Sequence, residues 1–363
     1  MSNQKFRILV IGDKNRFIHL EKFLSELQKK NIETILINDL DYVDKFFELN
    51  FIKKNRKKNN FNSLLQDFKP NIILVDRISK IIENIIEKEI PFWILLRGNY
   101  WEESSWAKKT IYKSRKQKIS SLRNDKLIDY CFKHSDLILP ISKYLEKEVK
   151  MRYPNKPIHL FPADGRNPDE WNKIDVKKLK HPCVGLIQGL NIWGKTKELL
   201  LLKEVMKKLP DITFYLAGDG IYRERIIPEL SQNKNFVWLK NLEYPHEVKK
   251  LFSEIDIFLL LSGLEGLGQI IIESFLMKKP TIASNTGGIP ELIQDNQTGL
   301  LVDTGNSEMI VDRIHKLLDD PVFAQKLALN GNNFAKKEFS WENIADRFIQ
   351  IIISTKIGAE INE

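Results

Sequence analysis

At 363 residues the chain exceeds the size at which one hydrophobic core keeps growing, so two domains are expected. With 42% apolar and 10% aromatic residues it is neither disordered nor of low complexity, and no run reaches the roughly 18 apolar residues of a membrane span. The net charge of +9 is uneven: residues 1–180 carry 37 Lys and Arg against 24 Asp and Glu (+13), and the remainder 20 against 24 (−4).

The first strand, "RILVIG", ends in Gly12 and is followed by a segment with Phe17, Leu20, Phe23, Leu24 and Leu27 at helical spacing. Strands follow at 34–38, 71–76, 91–98 and 136–142, with helical material between them. The "DLD" at 39–41 reads as a turn with a capping Asp. Basic stretches lie at 53–58 and 108–126. Within 106–132, Trp106, Ile119, Leu122, Ile128 and Phe132 among many lysines predict an amphipathic helix suited to an anionic membrane.

A second unit opens at 181–190 and repeats the same alternation, with strands at 212–220, 236–241, 256–262, in "PTIAS" and at 299–303, and with helices between, one of them over "IPELIQD". Apolar strands alternating with amphipathic helices predict parallel sheets covered on both faces, whose ligands bind at the carboxyl ends of the strands. The loops after 187, 217, 239 and 261 are therefore the places to look. No G-x-G-x-x-G follows the first strand of either unit and there is no P-loop, which disfavours a nicotinamide enzyme. Cys131 and Cys183 stand far apart without histidines at ligand spacing and read as reduced thiols; neither a metal nor a disulfide is expected. The apolar stretch at 8–11 is too short for a signal peptide, so a cytoplasmic location is expected.

The most informative stretch is 261–303. A strand ends at Ser262, "GLEGLG" follows, and a helix begins near Gln269, an arrangement that aims backbone N–H groups at a phosphate. Glu265 occupies the loop and Glu273 the first turns of the helix, with seven residues between them. Ser262, Glu265, Gly266, Gly268 and Glu273 match S-x-x-E-G-x-G-x-x-x-x-E, and Gly287, Gly288 and Glu291 match a following GG-x-x-E. This series resembles the donor-site signature of the family-4 glycosyltransferases, retaining enzymes of the GT-B fold. The stretches 134–149, 161–171 and 339–352 resemble the last strand and helix of that family's first domain, its interdomain linker and its closing helix.

The resemblance implies two doubly wound Rossmann-like domains facing each other across a cleft: an acceptor-binding domain at 1–170, a nucleotide-sugar-binding domain at 171–340, and a closing helix at 341–363 that crosses back to the first. It implies transfer of a sugar from a nucleoside diphosphate to an acceptor hydroxyl of a glycan or lipid-linked glycan, with retention at the anomeric carbon and with neither cofactor nor metal. Glu265 and Lys195 take the catalytic positions. Glu273, Gly266, Leu267, Gly268, Gln269, Asn241, Leu242 and Gly189 take donor-binding ones, and Arg97 and Gly12 lie on the acceptor side. The chain departs from the family at two places. Leu190 or Asn191 stands where an Arg is expected five residues before Lys195, and Arg97 stands where His is common. Arg97 either points a cation at the cleft or holds Glu102 or Glu103 in a surface ion pair. The implied partners are the nucleotide-sugar, the acceptor and an anionic membrane surface at the inner face of the cell membrane, with no nucleic acid. An epimerase of the same fold and a non-catalytic nucleotide-sugar binder are the alternatives.

Overall fold

The computed structural model describes residues 5–43, 51–176 and 178–355, without the side chains of 51–54, so Lys53 and Lys54 of the first basic run lie outside the described side chains. In chain order its elements are β1 (Arg7–Gly12), α1 (Phe17–Lys29), β2 (Glu33–Asn38), α2 (Phe51–Phe68), β3 (Ile72–Asp76), α3 (Ile82–Ile86), β4 (Phe92–Leu96), α4 (Tyr100–Thr110), α5 (Arg115–His134), β5 (Leu137–Pro140) and α6 (Lys143–Arg152). They continue with β6 (Cys183–Ile187), α7 (Trp193–Thr196), α8 (Leu202–Lys208), β7 (Thr213–Ala217), α9 (Arg223–Leu230), β8 (Phe236–Lys240), α10 (His246–Glu254), β9 (Ile257–Leu260), α11 (Ile270–Leu276), β10 (Thr281–Ser284), β11 (Leu300–Val302), α12 (Ser307–Asp319), α13 (Pro321–Glu338) and α14 (Trp341–Ser354).

The chain forms two compact units. The first holds the chain through Arg97, Ile119–Gly165 and the segment from Trp341 on; the second holds Gly98–Lys118 and Arg166–Ser340. The first unit is therefore not the unbroken stretch 1–170. Helix α4 packs within the second unit: Thr110 Oγ1 hydrogen-bonds the Tyr222 hydroxyl, and Trp106 lies where a Cβ on Gly194 would sit, with Lys197 Nζ 5.0 Å from its ring centroid.

Each unit is built on one parallel sheet. The first has the order β2-β1-β3-β4-β5 and the second β11-β10-β9-β6-β7-β8. Strands β3, β4 and β5 are buried at every position, which is why they read as unbroken apolar runs instead of alternating ones. The order reverses between β1 and β3 in the first sheet and between β6 and β9 in the second, and it is at the carboxyl ends of strands at such a reversal that open parallel sheets bind their ligands.

Two expected helices differ. Residues 106–132 do not form one helix: α4 ends at Thr110, and α5 restarts behind a capping box in which Ser114 Oγ accepts from the Gln117 amide (3.3 Å) while Gln117 Oε1 accepts from the Ser114 amide (3.0 Å). Ile128 and Phe132 are buried, whereas Ile119 and Leu122 are exposed. "IPELIQD" makes only the 3-10 turn Ile289–Glu291, because the chain must turn back at Gln294–Thr298 to lay β11 beside β10. Helices α12 and α13 occupy a region for which no element is expected from sequence. The "DLD" is a 3-10 turn whose Asp39 accepts from the Ser79 hydroxyl at 2.8 Å.

Helix α14 closes the core of the first unit. Phe348 is fully buried and its ring centroid lies 5.3 Å from Phe23, 5.8 Å from Trp93 and 5.2 Å from Phe161. Phe348→Ala is expected to destabilise this unit by about 3–5 kcal/mol, read as a lowered urea midpoint; an unchanged midpoint contradicts the packing described.

Candidate functional site

The switch point between β6 and β9 gathers most of the residues marked in the sequence. After β6 the chain runs through Gln188 and Gly189 into α7, which carries Lys195; after β9 it runs through Ser262 and Glu265 into α11, which carries Glu273. Lys195 Nζ lies 3.3 Å from Glu265 Oε2, both side chains being partly accessible. Gln188 Nε2 donates to the Lys195 carbonyl (3.0 Å) and its own Oε1 is buried without a hydrogen-bond partner. A Cβ on Gly189 would meet nothing within 4 Å, so the backbone there borders open space.

Position 190, where a cation is expected, is structural instead. Leu190 is fully buried among the core side chains of this unit, and Asn191 Oδ1 accepts from the Ile221 amide at 3.2 Å. Asn241 and Leu242 follow β8 directly, Asn241 exposed and Leu242 half-buried.

Glu273 is 2% exposed. Its Oε1 accepts from Arg166 Nε (2.9 Å), from Arg166 Nη2 (2.7 Å) and from the Tyr244 hydroxyl (3.0 Å), while Oε2 is buried with no hydrogen-bond partner. Burying a carboxylate is costly unless a cation and hydrogen bonds compensate it, and here both fall on one oxygen. The other oxygen keeps its acceptor capacity, which suits a ligand bearing hydroxyl donors. Arg166 and Tyr244 are partners of Glu273 that sequence reasoning misses. They lie 107 and 29 residues from Glu273, at no recurrent spacing; the one available hint is an Arg within the linker stretch 161–171.

Backbone packing holds the loop that carries Glu265. Ser262 Oγ donates to the Leu264 carbonyl (3.1 Å), and the Ser262 amide donates to Ser284 Oγ (3.0 Å). The Gly288 amide donates to the Glu265 carbonyl at 3.1 Å. A Cβ on Gly287, whose φ is +56°, would lie 1.9 Å from the Glu265 carbonyl oxygen, and one on Gly288 2.2 Å from that of Gly266. The paired glycines are required because two backbones touch. Gly268, at φ +84°, turns the chain into α11, which is two turns long. The carboxyl end of α11 is held by Asn332 of α13, whose Nδ2 donates to the carbonyls of Phe275 (3.0 Å) and Leu276 (2.9 Å).

The switch point of the first sheet gathers a different set. Gly12 ends β1, and a Cβ there would lie 2.5 Å from Leu20 Cδ1, so its smallness serves the packing of α1. Arg97, just past β4, is buried between Asp76 and Asp164, with Nε donating to the first and Nη1 to the second. Of the two alternatives for Arg97, the surface pair with Glu102 or Glu103 is not the one formed, since its guanidinium pairs with Asp76 and Asp164. Burial works against the Arg97 charge, but Asp164 and Asp76 outweigh it and hold the guanidinium above its ordinary range. Arg16 joins the cluster, 2.7 Å from Asp164 and 3.8 Å from Asp76; burial and then Arg97 hold it below the ordinary range. Burial pushes the Cys131 and Cys183 thiols up to about 12, so neither is an activated nucleophile.

The family model described as "Glycosyl transferases group 1" matches residues 191–354. An uncharacterized glycosyltransferase of Methanocaldococcus jannaschii is 28% identical over 232 residues, 61% of this chain and 61% of that protein. The chain thus spans less than two thirds of that relative's length. Among solved structures, sucrose-phosphate synthase of Thermosynechococcus elongatus superposes with a TM-score of 0.73 at 17% identity, over 96% of this chain and 98% of its own. The Anabaena protein HepE, in complex with UDP-glucose, does so with 0.69 at 14% identity, over 96% and 100%. At these identities the likeness establishes the GT-B fold.

Arg166→Met leaves the buried Glu273 carboxylate without its cation and is expected to cost about 3–5 kcal/mol of stability. Adding Glu273→Gln should recover most of that loss in thermal or urea unfolding. A double variant no more stable than Arg166→Met contradicts the pairing.

Proposed function

We propose that the chain, whose residues 191–354 match the family model of the group 1 glycosyltransferases, moves a sugar from a nucleoside diphosphate to a hydroxyl of a glycan or lipid-linked glycan, with retention at the anomeric carbon. The observation that carries the donor assignment is the unpartnered, buried Oε2 of Glu273 at the switch point of the second sheet, an acceptor placed for a ribose hydroxyl. Lys195 then faces the diphosphate and Glu265 the sugar. These two face each other across 3.3 Å; a bound diphosphate would compete with Glu265 for the ammonium and gain a fixed cation against the charge that develops as the anomeric C–O bond breaks. The backbone of Gly266, Leu267, Gly268 and Gln269 lies beside the same phosphates. With Leu190 in the core, Lys195 is the cation of this site that acts on the leaving group.

UDP-sugars are the first donors to test, since HepE, of the same fold, was solved with UDP-glucose. The acceptor side is assigned to the first unit, which holds most of α5. On α5, Arg115, Ile119, Leu122 and Lys126 share one helical face, and all four are exposed. This pattern suits an anionic bilayer at which a lipid-linked acceptor is presented, and among the described residues no helix is long and apolar enough to cross one.

Incubation with a UDP-sugar panel should give slow donor hydrolysis or transfer, with product and donor sharing anomeric configuration by NMR. Lys195→Ala should lower kcat by about 100-fold or more with circular dichroism unchanged; a variant that turns over normally removes Lys195 from the reaction. Ile119→Ser with Leu122→Ser should reduce sedimentation with anionic vesicles at low salt, and sedimentation equal to wild type sinks the membrane assignment.

A further inference from the structure

At the opposite end of the second sheet from Glu265 and Lys195, three side chains of different chemistry converge. His181 and Cys183 are two residues apart where the chain enters β6, and Asp256 precedes β9, the strand beside β6. Parallel pairing of these strands begins at Val184 and Ile257, and the Asp256 amide donates to the Cys183 carbonyl at 3.2 Å, so strand register itself brings the residues together. His181 Nδ1 lies 2.8 Å from Asp256 Oδ2 and 3.6 Å from Cys183 Sγ, and one candidate ligand atom from each of the three residues lies within 4.8 Å of the others.

We propose that His181, Cys183 and Asp256 bind one divalent transition-metal ion of zinc type, leaving a fourth position for water or a small ligand. Tetrahedral zinc with a thiolate at about 2.3 Å and an imidazole nitrogen at about 2.05 Å places those two atoms about 3.6 Å apart. The separation of Sγ and Nδ1 in the protein already matches that value. The nitrogen and carboxylate oxygen need about 3.4 Å, so His181 and Asp256 have to open by a little over half an ångström from their present hydrogen bond. A mixed sulfur, nitrogen and oxygen set selects zinc or cobalt over magnesium and calcium, which prefer all-oxygen sites.

The support for this set is rigid on one side and open on the other. Cys183 is fully buried in β6 and its amide donates to Asp256 Oδ2 at 2.8 Å, orienting the carboxylate. His181 is exposed and Asp256 half-buried, which gives an ion a path in. A cavity of about 830 Å³, lined in part by Lys173, Lys178 and Glu254, opens onto both residues and has room for the fourth ligand. The ammonium of Lys279, also in its wall, is engaged by the carbonyls of Ile255 (2.7 Å) and Ser253 (3.4 Å). Binding forms bonds to Sγ, Nδ1 and a carboxylate oxygen, releases the thiol proton to solvent, and leaves the imidazole protonated on Nε2. The bound ion would join the entrance of β6 to that of β9 and so brace the same strand pair whose far ends carry Lys195 and Glu265.

The test is titration of the reduced, metal-free protein with Co²⁺. One equivalent should produce a thiolate-to-cobalt charge-transfer absorption with the visible bands of tetrahedral cobalt; Zn²⁺ should displace it, and stoichiometric Zn²⁺ should raise Tm. Cys131→Ser should keep the absorption and Cys183→Ser should abolish it. His181→Ala, at a solvent-facing position, should weaken binding by about tenfold or more. Absence of the charge-transfer band in wild-type protein at about tenfold cobalt excess overturns the proposal. A band that survives Cys183→Ser, or a His181→Ala affinity equal to wild type, overturns it too.

Discussion

Strands β6 and β9 lie side by side in one parallel sheet, yet the connections that leave them run to opposite sides, and this reversal is the constraint on which the candidate site depends. Where neighbouring connections part, no crossover helix covers the strand ends. The loops after the two strands therefore border a crevice. Lys195 enters it from the first helix after β6, while Glu265 and Glu273 enter from the loop and helix after β9. Nothing in this arrangement needs long-range coordination beyond the register of two strands.

What the sheet places, local contacts then hold. The Glu265 loop is pressed between the paired glycines at 287 and 288 and the Ser262–Ser284 hydrogen bond, so its backbone has little freedom to drift. Glu273 is held by Arg166 and Tyr244 through one oxygen, which leaves the second as a preorganised acceptor inside a low-dielectric wall. Preorganisation of this kind matters for a transferase because a group already in place costs no reorganisation when charge moves onto the leaving diphosphate. The first unit uses its own switch point differently: Arg16, Arg97, Asp76 and Asp164 close on one another in a balanced cluster.

Much of this was legible in the sequence, for physical reasons. Parallel strands buried on both faces are nearly continuous runs of Val, Ile and Leu, so the strands can be read from the sequence to within a few residues, and the S-x-x-E-G-x-G spacing marks the loop after β9. The break between α4 and α5 was also available, as the Ser114–Gln117 capping box, but the apolar spacing of Trp106, Ile119 and Ile128 pointed to one continuous helix. The Pro-Glu-Leu-Ile series after Gly288 has helical spacing, yet the return of the chain to β11 overrides it. Partnerships were the illegible part. Arg166 with Glu273, Arg97 with Asp76 and Asp164, and Cys183 with Asp256 join residues 21 to 107 positions apart, and no periodicity links such pairs. The paired glycines were visible as a motif, while the reason for them, two backbones in contact, is visible only in three dimensions.

The central claim is that the crevice between β6 and β9 is a nucleotide-sugar site whose ribose acceptor is the unshared oxygen of Glu273. A crystal structure of the protein with bound UDP tests it most directly. The account places the ribose hydroxyls within hydrogen-bonding distance of Glu273 Oε2, with Arg166 and Tyr244 still on Oε1, and the diphosphate beside Lys195 and the backbone of residues 266–269. A nucleotide seated elsewhere, or one in this crevice with Glu273 Oε2 still unpartnered, would contradict it.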